Sequence, residues 1–323
     1  MRKVLLFWVE LTSEWTRTVQ LHLRRFSPLF KAISATGDEA AYVLLIVFLS
    51  TVVSTALARQ FCMLWACTFY VTNVLKDLLS LPRPRCTEFL DTAHADEPGF
   101  PSGHTANATA LALFMTLRCE SLLGNGDSLA SLEVIAGLYV VLIALSRVVL
   151  GVHSVIDIVG GFFVGSIVAV NWTLNLETVE EFGRDHQFQL AGMLATLTLL
   201  YPNRHSANPA YLDVSVASGV AAGFVLGDTW VDCGLLSLWT DQSIEFDESM
   251  GIGALLRFLV SLATAVLVRR FTKALLQRWL PTSLATAVFV RGFATYAAIS
   301  LACVGAARLV AATFRSKLCT AEL

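Results

Sequence analysis

Charge is scarce in this 323-residue chain: Asp, Glu, Lys and Arg supply 15% of it against 55% hydrophobic residues, and the mean hydropathy is +0.65. Such a balance excludes an ordinary soluble domain and indicates an integral membrane protein. The net charge is -2, so no basic field is offered to a nucleic-acid partner. The cysteines are scattered (Cys62, Cys67, Cys86, Cys119, Cys233, Cys303 and Cys319), and no two form a Cys-x-x-Cys pair. That excludes the usual zinc or disulfide framework and leaves them as small core hydrophobes. No carboxylate cluster or histidine-rich group has ligand spacing, so no metal and no cofactor is expected. A cleavable signal is not expected either: Glu10 cuts short the apolar stretch after Arg2 and Lys3, and no small-residue cleavage site follows. Internal repeats are absent, and no segment has the composition of a soluble domain.

What the chain has is a succession of apolar runs, each measured against the roughly 20 residues that a bilayer core requires. They are Ala40 to Ala58, Phe61 to Leu79, His104 to Leu117, Leu132 to Leu150, Val152 to Leu174, Phe188 to Tyr201, Tyr211 to Trp230, Ile252 to Val268 and Ala285 to Ala312. Backbone groups inside a bilayer must pair internally, so the fold class expected is all-α, a polytopic transmembrane helical bundle of about nine spans, give or take one or two. Residues 1–37 read as a basic N-terminal segment, 38–175 as a core carrying the polar motifs, and 176–323 as further spans completing the bundle. Within the first segment, Leu21 to Ile33 carries Arg24, Arg25 and Lys31 among apolar residues, the pattern of a helix lying on a membrane surface or of a plain tail.

Three polar groups interrupt the apolar pattern. The first is Lys76 followed by Arg83-Pro84, where Pro82 and Pro84 end the second run and set Arg83 at its membrane end. The second is Pro101-Ser102-Gly103-His104 at the start of the third run, a turn whose backbone N–H groups and hydroxyl suit an anion, with His104 beside it able to donate to a leaving oxygen. The third is Ser146-Arg147 followed by His153 and Asp157. Four residues apart on a helix, His153 and Asp157 share a face, so the carboxylate orients the imidazole as nucleophile or base. Gly151 offers a break through which the Arg147 guanidinium, a fork suited to an oxyanion, converges on that imidazole. Taken singly, each group also reads as an ordinary helix end: an interfacial anchor, an N-cap, a satisfied His–Asp pair.

Together, Lys-x6-Arg-Pro, Pro-Ser-Gly-His and Ser-Arg-x5-His-x3-Asp resemble the type 2 phosphatidic acid phosphatase (PAP2) superfamily. Lys76, Arg83, Pro84, Pro101, Ser102, Gly103, His104, Ser146, Arg147, His153 and Asp157 fill the pattern in order. The resemblance implies a metal-independent phosphatase acting on a phosphorylated lipid in the bilayer. His153 would attack phosphorus to give a phosphohistidine, Asp157 would hold its tautomer, and His104 would protonate the leaving alkoxide and then activate water. Lys76, Arg83, Ser102, Gly103 and Arg147 would bind phosphate, with Pro84, Pro101 and Ser146 as structural positions.

The Lys-Asp-Leu-Leu form of the first motif, the Gly-Val-His-Ser-Val-Ile-Asp-Ile-Val-Gly-Gly form of the third and the extra spans are most similar to sphingosine-1-phosphate and long-chain-base-phosphate phosphatases. That implies a place in the endoplasmic reticulum membrane with the site facing the lumen. Nine spans and the positive-inside rule instead put the motifs on the cytosolic side with Arg269 to Arg278, and both orientations stand. Polyprenyl or dolichyl pyrophosphate hydrolysis, phosphatidate hydrolysis and head-group transfer fit the same motifs, and a lipid or phosphate transporter is the rival of another class. In the remaining chain, His186, His205 and the acidic run from Asp228 to Glu248 read as solvated loops.

Overall fold

The computed structural model describes residues 2–84, 97–123, 127–202, 208–232, 252–280 and 285–321. Residues 85–96 of the stretch between the first two motifs, His205, and the acidic stretch from Asp241 to Glu248 lie outside them. Every described element is a helix.

The chain forms two compact units. The first comprises Met1–Tyr42 and Cys67–Leu176. It contains α1 (Arg2–Leu23), α2 (Ser27–Ala35), the start of α3 (Glu39–Phe48), the second half of α4 (Thr55–Leu79), and α5 (Gly103–Leu123), α6 (Asp127–Val149) and α7 (Val155–Leu174). Its centre is the packing of α5 against α7 and α6, with α1 and α2 laid on them. Small residues make that possible. A Cβ on Gly161 would sit 2.5 Å from the Ser102 carbonyl oxygen, and one on Gly165 would sit 2.3 Å from that of Ala106. The Gly161-x-x-x-Gly165 face therefore brings α7 against the backbone at the N-terminal end of α5, the close approach common between membrane helices.

The expected surface helix over Leu21 to Ile33 is not continuous. It is divided among the end of α1, a 3-10 turn at Arg24–Phe26 and α2. In α1 the buried residues include Ser13, Thr16 and Gln20, while Phe7, Trp8, Leu11 and Trp15 face outward. On α7, Phe162, Phe163, Ile167 and Leu174 are likewise exposed. An apolar exterior of this extent belongs in lipid.

The second unit comprises Val43–Ala66 and Glu177–Leu323. It holds α8 (Leu176–Asp185), α9 (Gln187–Leu199), α10 (Pro209–Asp232), α11 (Ile252–Trp279), α12 (Ala285–Phe289) and α13 (Thr295–Ala321), with the remainders of α3 and α4. α10 lies at its core, packed on α13 and α9. Gly219 and Gly223 face the carbonyl oxygens of Phe293 and Ala297, at 2.4 Å and 2.3 Å from where a Cβ would stand. Arg59 pairs with Glu180 at 2.8 Å, and the buried Arg257 donates to the Thr51 carbonyl at 2.9 Å.

Each apolar run read from the sequence is largely helical, but nine spans are not reached among the described residues. Among the described residues, Ala130–Val149, Val155–Leu174, Pro209–Gly227 and Thr286–Val310 are long and apolar enough to cross a membrane. A fifth is added if Arg2–Ala35 and Glu39–Val53, bent by 47°, count as one span. The physical reasons are local. The run from Ala40 to Ala58 breaks at Ser54, between α3 and α4. α9, at 13 residues, is about 20 Å long and falls short of a hydrocarbon core of about 30 Å. α4 and α11 are long enough but carry Arg59, Lys76 and Asp77, and Arg257, Arg269 and Arg270, respectively. Of the cysteines, Cys62 and Cys303 are buried, as expected of small core residues.

Candidate active site

α4 ends at Leu79, with Lys76 in its last turn and Ser80 N–H closing onto the Lys76 carbonyl at 2.8 Å. The chain then turns through Pro82, and Arg83 is drawn inward until it is 6% exposed. Its Nε donates to the Glu97 carbonyl at 3.0 Å, and its Nη1 donates to the Val152 carbonyl at 2.6 Å. The second bond fastens the first motif to the third.

The second motif is fastened to the third as well, since Ser102 N–H donates to the Asp157 carbonyl at 2.9 Å. Ser102 caps α5: its hydroxyl accepts from Thr105 N–H at 3.4 Å and from the Thr105 hydroxyl at 3.1 Å. Pro101, preceded by a cis peptide bond, is buried beside it. Gly103 opens the helix close to the first motif, because a Cβ there would lie 3.7 Å from Lys76 Nζ.

α6 carries Ser146 and Arg147 in its last turn, both fully enclosed at 0% and 1% exposed. Ser146 donates back to the Ile143 carbonyl at 2.6 Å, a structural bond inside the helix. The Arg147 guanidinium donates through Nη1 to the Ser34 hydroxyl. Gly151 then takes φ +77°, a left-handed conformation that glycine adopts without strain, and the helix stops there as its position suggested. α7 begins at Val155, three residues later than the apolar run that starts at Val152, so His153 lies in the turn outside both spans.

Asp157 does two things at the start of α7. Its Oδ2 accepts Ser154 N–H at 2.7 Å, which caps the helix, and the same oxygen stands 3.5 Å from His153 Nδ1. Arg83 Nη1 approaches the other ring nitrogen, Nε2, at 3.4 Å. A guanidinium only donates, so Nε2 is the acceptor and the ring proton sits on Nδ1, toward Asp157. Burial, and after it the charges of Arg83, Arg147 and Lys76, hold the His153 pKa well below the ordinary imidazole value.

Every site residue named from the sequence thus lies in the first unit, where Lys76, Arg83, Ser102, Gly103, His104, Arg147, His153 and Asp157 come together. Four further residues were not singled out. Glu97 has a side chain only 18% exposed, with Oε2 at 3.6 Å from Arg83 Nη2 and 3.9 Å from Lys76 Nζ. Asp38 Oδ1 lies 2.8 Å from His104 Nε2. Gly37 packs so tightly on the His104 ring that a Cβ would meet Cδ2 at 2.9 Å. Ser34 is the partner of Arg147 described above. No spacing rule joins Asp38 to a residue 66 positions away, and only the fold reveals it. Chemically, the cluster sets three cations and a helix N-terminus around a buried, oriented imidazole, an arrangement fit for a multiply charged anion.

Residues 40–179 match the model of the PAP2 superfamily. A relative described as "Lipid phosphate phosphatase delta", from Arabidopsis thaliana, is 34% identical over 187 residues, 53% of this chain and 44% of its own length. A "Probable sphingosine-1-phosphate phosphatase" from Dictyostelium discoideum is 26% identical over 224 residues, 65% of this chain and 52% of its own. The chain spans about half the length of these two relatives. The crystal structure of a transmembrane PAP2 type phosphatidylglycerolphosphate phosphatase from Bacillus subtilis aligns with TM-score 0.44 at 21% identity, covering 51% of this chain and 86% of that one.

Proposed function

We propose that this protein, whose residues 40–179 belong to the PAP2 superfamily, is a metal-independent lipid phosphate phosphatase acting on the phosphomonoester of a sphingoid base. The observation that carries the reading is the environment of His153: Asp157 on one side of the ring and Arg83, a phosphate-type donor, 3.4 Å from the nitrogen on the other. A phosphoryl group entering between Arg83 and Nε2 meets a nucleophile and its charge partner at once.

In this mechanism Nε2 attacks phosphorus as the bond from phosphorus to the lipid oxygen breaks. His104 gives that oxygen its proton, so the sphingoid base leaves as the alcohol. Asp157 stabilises the positive charge on the phosphorylated ring through Nδ1–H. Lys76, Arg83, Arg147, the Ser102 hydroxyl and the Gly103 N–H take up the charge on the non-bridging oxygens. Water then attacks phosphorus, His104 accepts its proton, the phosphorus–nitrogen bond breaks and inorganic phosphate departs.

An apolar cavity of about 610 Å³ supports a lipid substrate. It is lined from α5, α6 and α7 by residues that include Thr105, Ala112, Gly137, Val141, Phe162 and Ile158, the last of these following Asp157 in the chain. The volume lies in the range of about 300–1,000 Å³ typical of small-ligand sites and suits one alkyl tail. The relatives named as sphingosine-1-phosphate phosphatases favour that tail being a sphingoid base. A location in the endoplasmic reticulum membrane is part of the same proposal. In the same reading residues 176–323 supply additional transmembrane helices.

The test is phosphate release in EDTA from sphingosine 1-phosphate, dihydrosphingosine 1-phosphate, phosphatidate and dolichyl pyrophosphate by the purified full chain. Preference for the two sphingoid phosphates is expected. Release chiefly from another lipid discards the substrate, and release from none discards the enzyme.

A further inference from the structure

We infer that the turn joining α2 to α3 is part of the catalytic site, with Asp38 as the positioning residue of the acid His104 and Ser34 as that of the phosphate ligand Arg147. The inference rests on the proposed roles of His104 and Arg147. Neither Asp38 nor Ser34 lies within the stretch that matches the family, which begins at residue 40.

The geometry is compact. Within five residues, Ser34 Oγ accepts from Arg147 Nη1, Gly37 lies against the His104 ring, and Asp38 Oδ1 stands 2.8 Å from His104 Nε2. The turn is itself held in place. Gly37 N–H donates to the Ser34 carbonyl at 2.8 Å, the Asp38 carbonyl accepts Ala41 N–H at 3.0 Å to begin α3, and the Tyr139 hydroxyl donates to the Thr36 carbonyl at 3.2 Å. A residue larger than glycine at position 37 forces the imidazole away from its partner.

The chemistry follows from which nitrogen is engaged. Asp38 accepts from Nε2–H, so the transferable proton of the imidazolium is the one on Nδ1. After that proton passes to the lipid oxygen, Asp38 keeps the remaining proton on Nε2, and Nδ1 is the basic nitrogen that takes a proton from water. The two histidines therefore use opposite nitrogens, each fixed by its own aspartate. Besides Asp38, the titratable groups near His104 include His153, with which it interacts electrostatically, and Lys76, whose Nζ lies 3.7 Å from where a Cβ on the adjacent Gly103 would stand, while Tyr42 interacts with Asp38. The Asp38 carboxylate, 2.8 Å from Nε2, favours the imidazolium over the neutral ring, so removing it has a definite sign.

The experiment compares the full chain with Asp38→Asn, Asp38→Glu, Ser34→Ala and His104→Ala, measuring kcat and KM against pH with sphingosine 1-phosphate and with p-nitrophenyl phosphate. The expected result for Asp38→Asn is a kcat about tenfold or more lower on the lipid, KM within about twofold, and a basic limb moved to lower pH, in line with general-acid contributions of about 10²–10⁴. The defect shrinks on p-nitrophenyl phosphate, whose leaving group needs no acid for departure, and Asp38→Glu recovers part of the loss. Ser34→Ala is expected to weaken inhibition by vanadate without moving the basic limb. An unchanged basic limb in Asp38→Asn overturns the assignment of Asp38, and unchanged vanadate inhibition overturns that of Ser34. Full activity in His104→Ala instead overturns the proposed function on which both rest.

Discussion

Asp157 Oδ2 serves the Ser154 N–H at 2.7 Å and faces His153 Nδ1 at 3.5 Å, so one carboxylate oxygen both starts a membrane helix and orients the candidate nucleophile. The longer distance is of a kind that closes when substrate binds, since catalytic hydrogen bonds often tighten only in the complex.

That double role separates folding from chemistry in one substitution. Asn at position 157 keeps an oxygen for the Ser154 N–H, so the protein is expected to fold with a loss below about 1 kcal/mol, the scale of a helix cap. It cannot support the phosphorylated imidazole, and kcat is expected to fall by about 10²–10⁴, as in other oriented-histidine sites. Thermal unfolding in detergent and steady-state rates on one preparation check both halves. A folded Asp157→Asn protein with near-normal kcat counts against the mechanism.

The pH dependence of the free enzyme follows from the charges around His153. Its folded pKa is depressed, first by burial and then by Arg83, Arg147 and Lys76. The neutral, nucleophilic form therefore persists as pH falls below the ordinary histidine value of about 6.5. The acid limb of kcat/KM, corrected for the substrate's own ionisation, is expected below that value. An acid limb from His153 at or above it contradicts the geometry.

Glu97 presents a carboxylate to two of the cations assigned to phosphate, at 3.6 Å from Arg83 and 3.9 Å from Lys76. It competes with the anion for them. Glu97→Gln is expected to tighten vanadate inhibition by up to about fivefold, corresponding to an ion pair of about 1 kcal/mol. Inhibition that weakens in the variant shows Glu97 to be holding the cations in position instead.

The tail cavity is open to test at Gly137, where a side chain would meet nothing within 4 Å. Gly137→Phe extends a side chain into this space from a Cβ that itself meets nothing within 4 Å. Each alkyl CH₂ excluded costs about 0.8 kcal/mol, so losing two raises KM about tenfold for long-chain substrates. Rates on p-nitrophenyl phosphate serve as the control and are expected to hold. Equal KM values for long- and short-chain substrates in the variant place the tail elsewhere.

The sequence was most informative where chemistry demands typed residues at fixed spacing. Lys76, Arg83, Ser102, Arg147, His153 and Asp157 were each legible because a charge or a helix break in an apolar chain needs a reason. The break at Gly151 was legible because glycine takes φ +77° without strain. Asp38 and Ser34 were not, because their partners His104 and Arg147 lie on distant helices and no periodicity links them. Span count suffered for a different reason. Apolar runs report burial and membrane exposure alike, so the 13-residue α9 read as a span although it is too short to cross. The stretch from Leu21 to Ile33 read as one surface helix or a tail, and is instead interrupted by the 3-10 turn at Arg24–Phe26.

The most direct measurement traps the enzyme during turnover. Full chain and radiolabelled sphingosine 1-phosphate are mixed, quenched in alkali, where phosphohistidine survives, and the labelled peptide is sequenced. The account predicts label on His153, absent from His153→Ala, with the folded variant releasing no phosphate. Label on another residue, or continued turnover by His153→Ala, contradicts it.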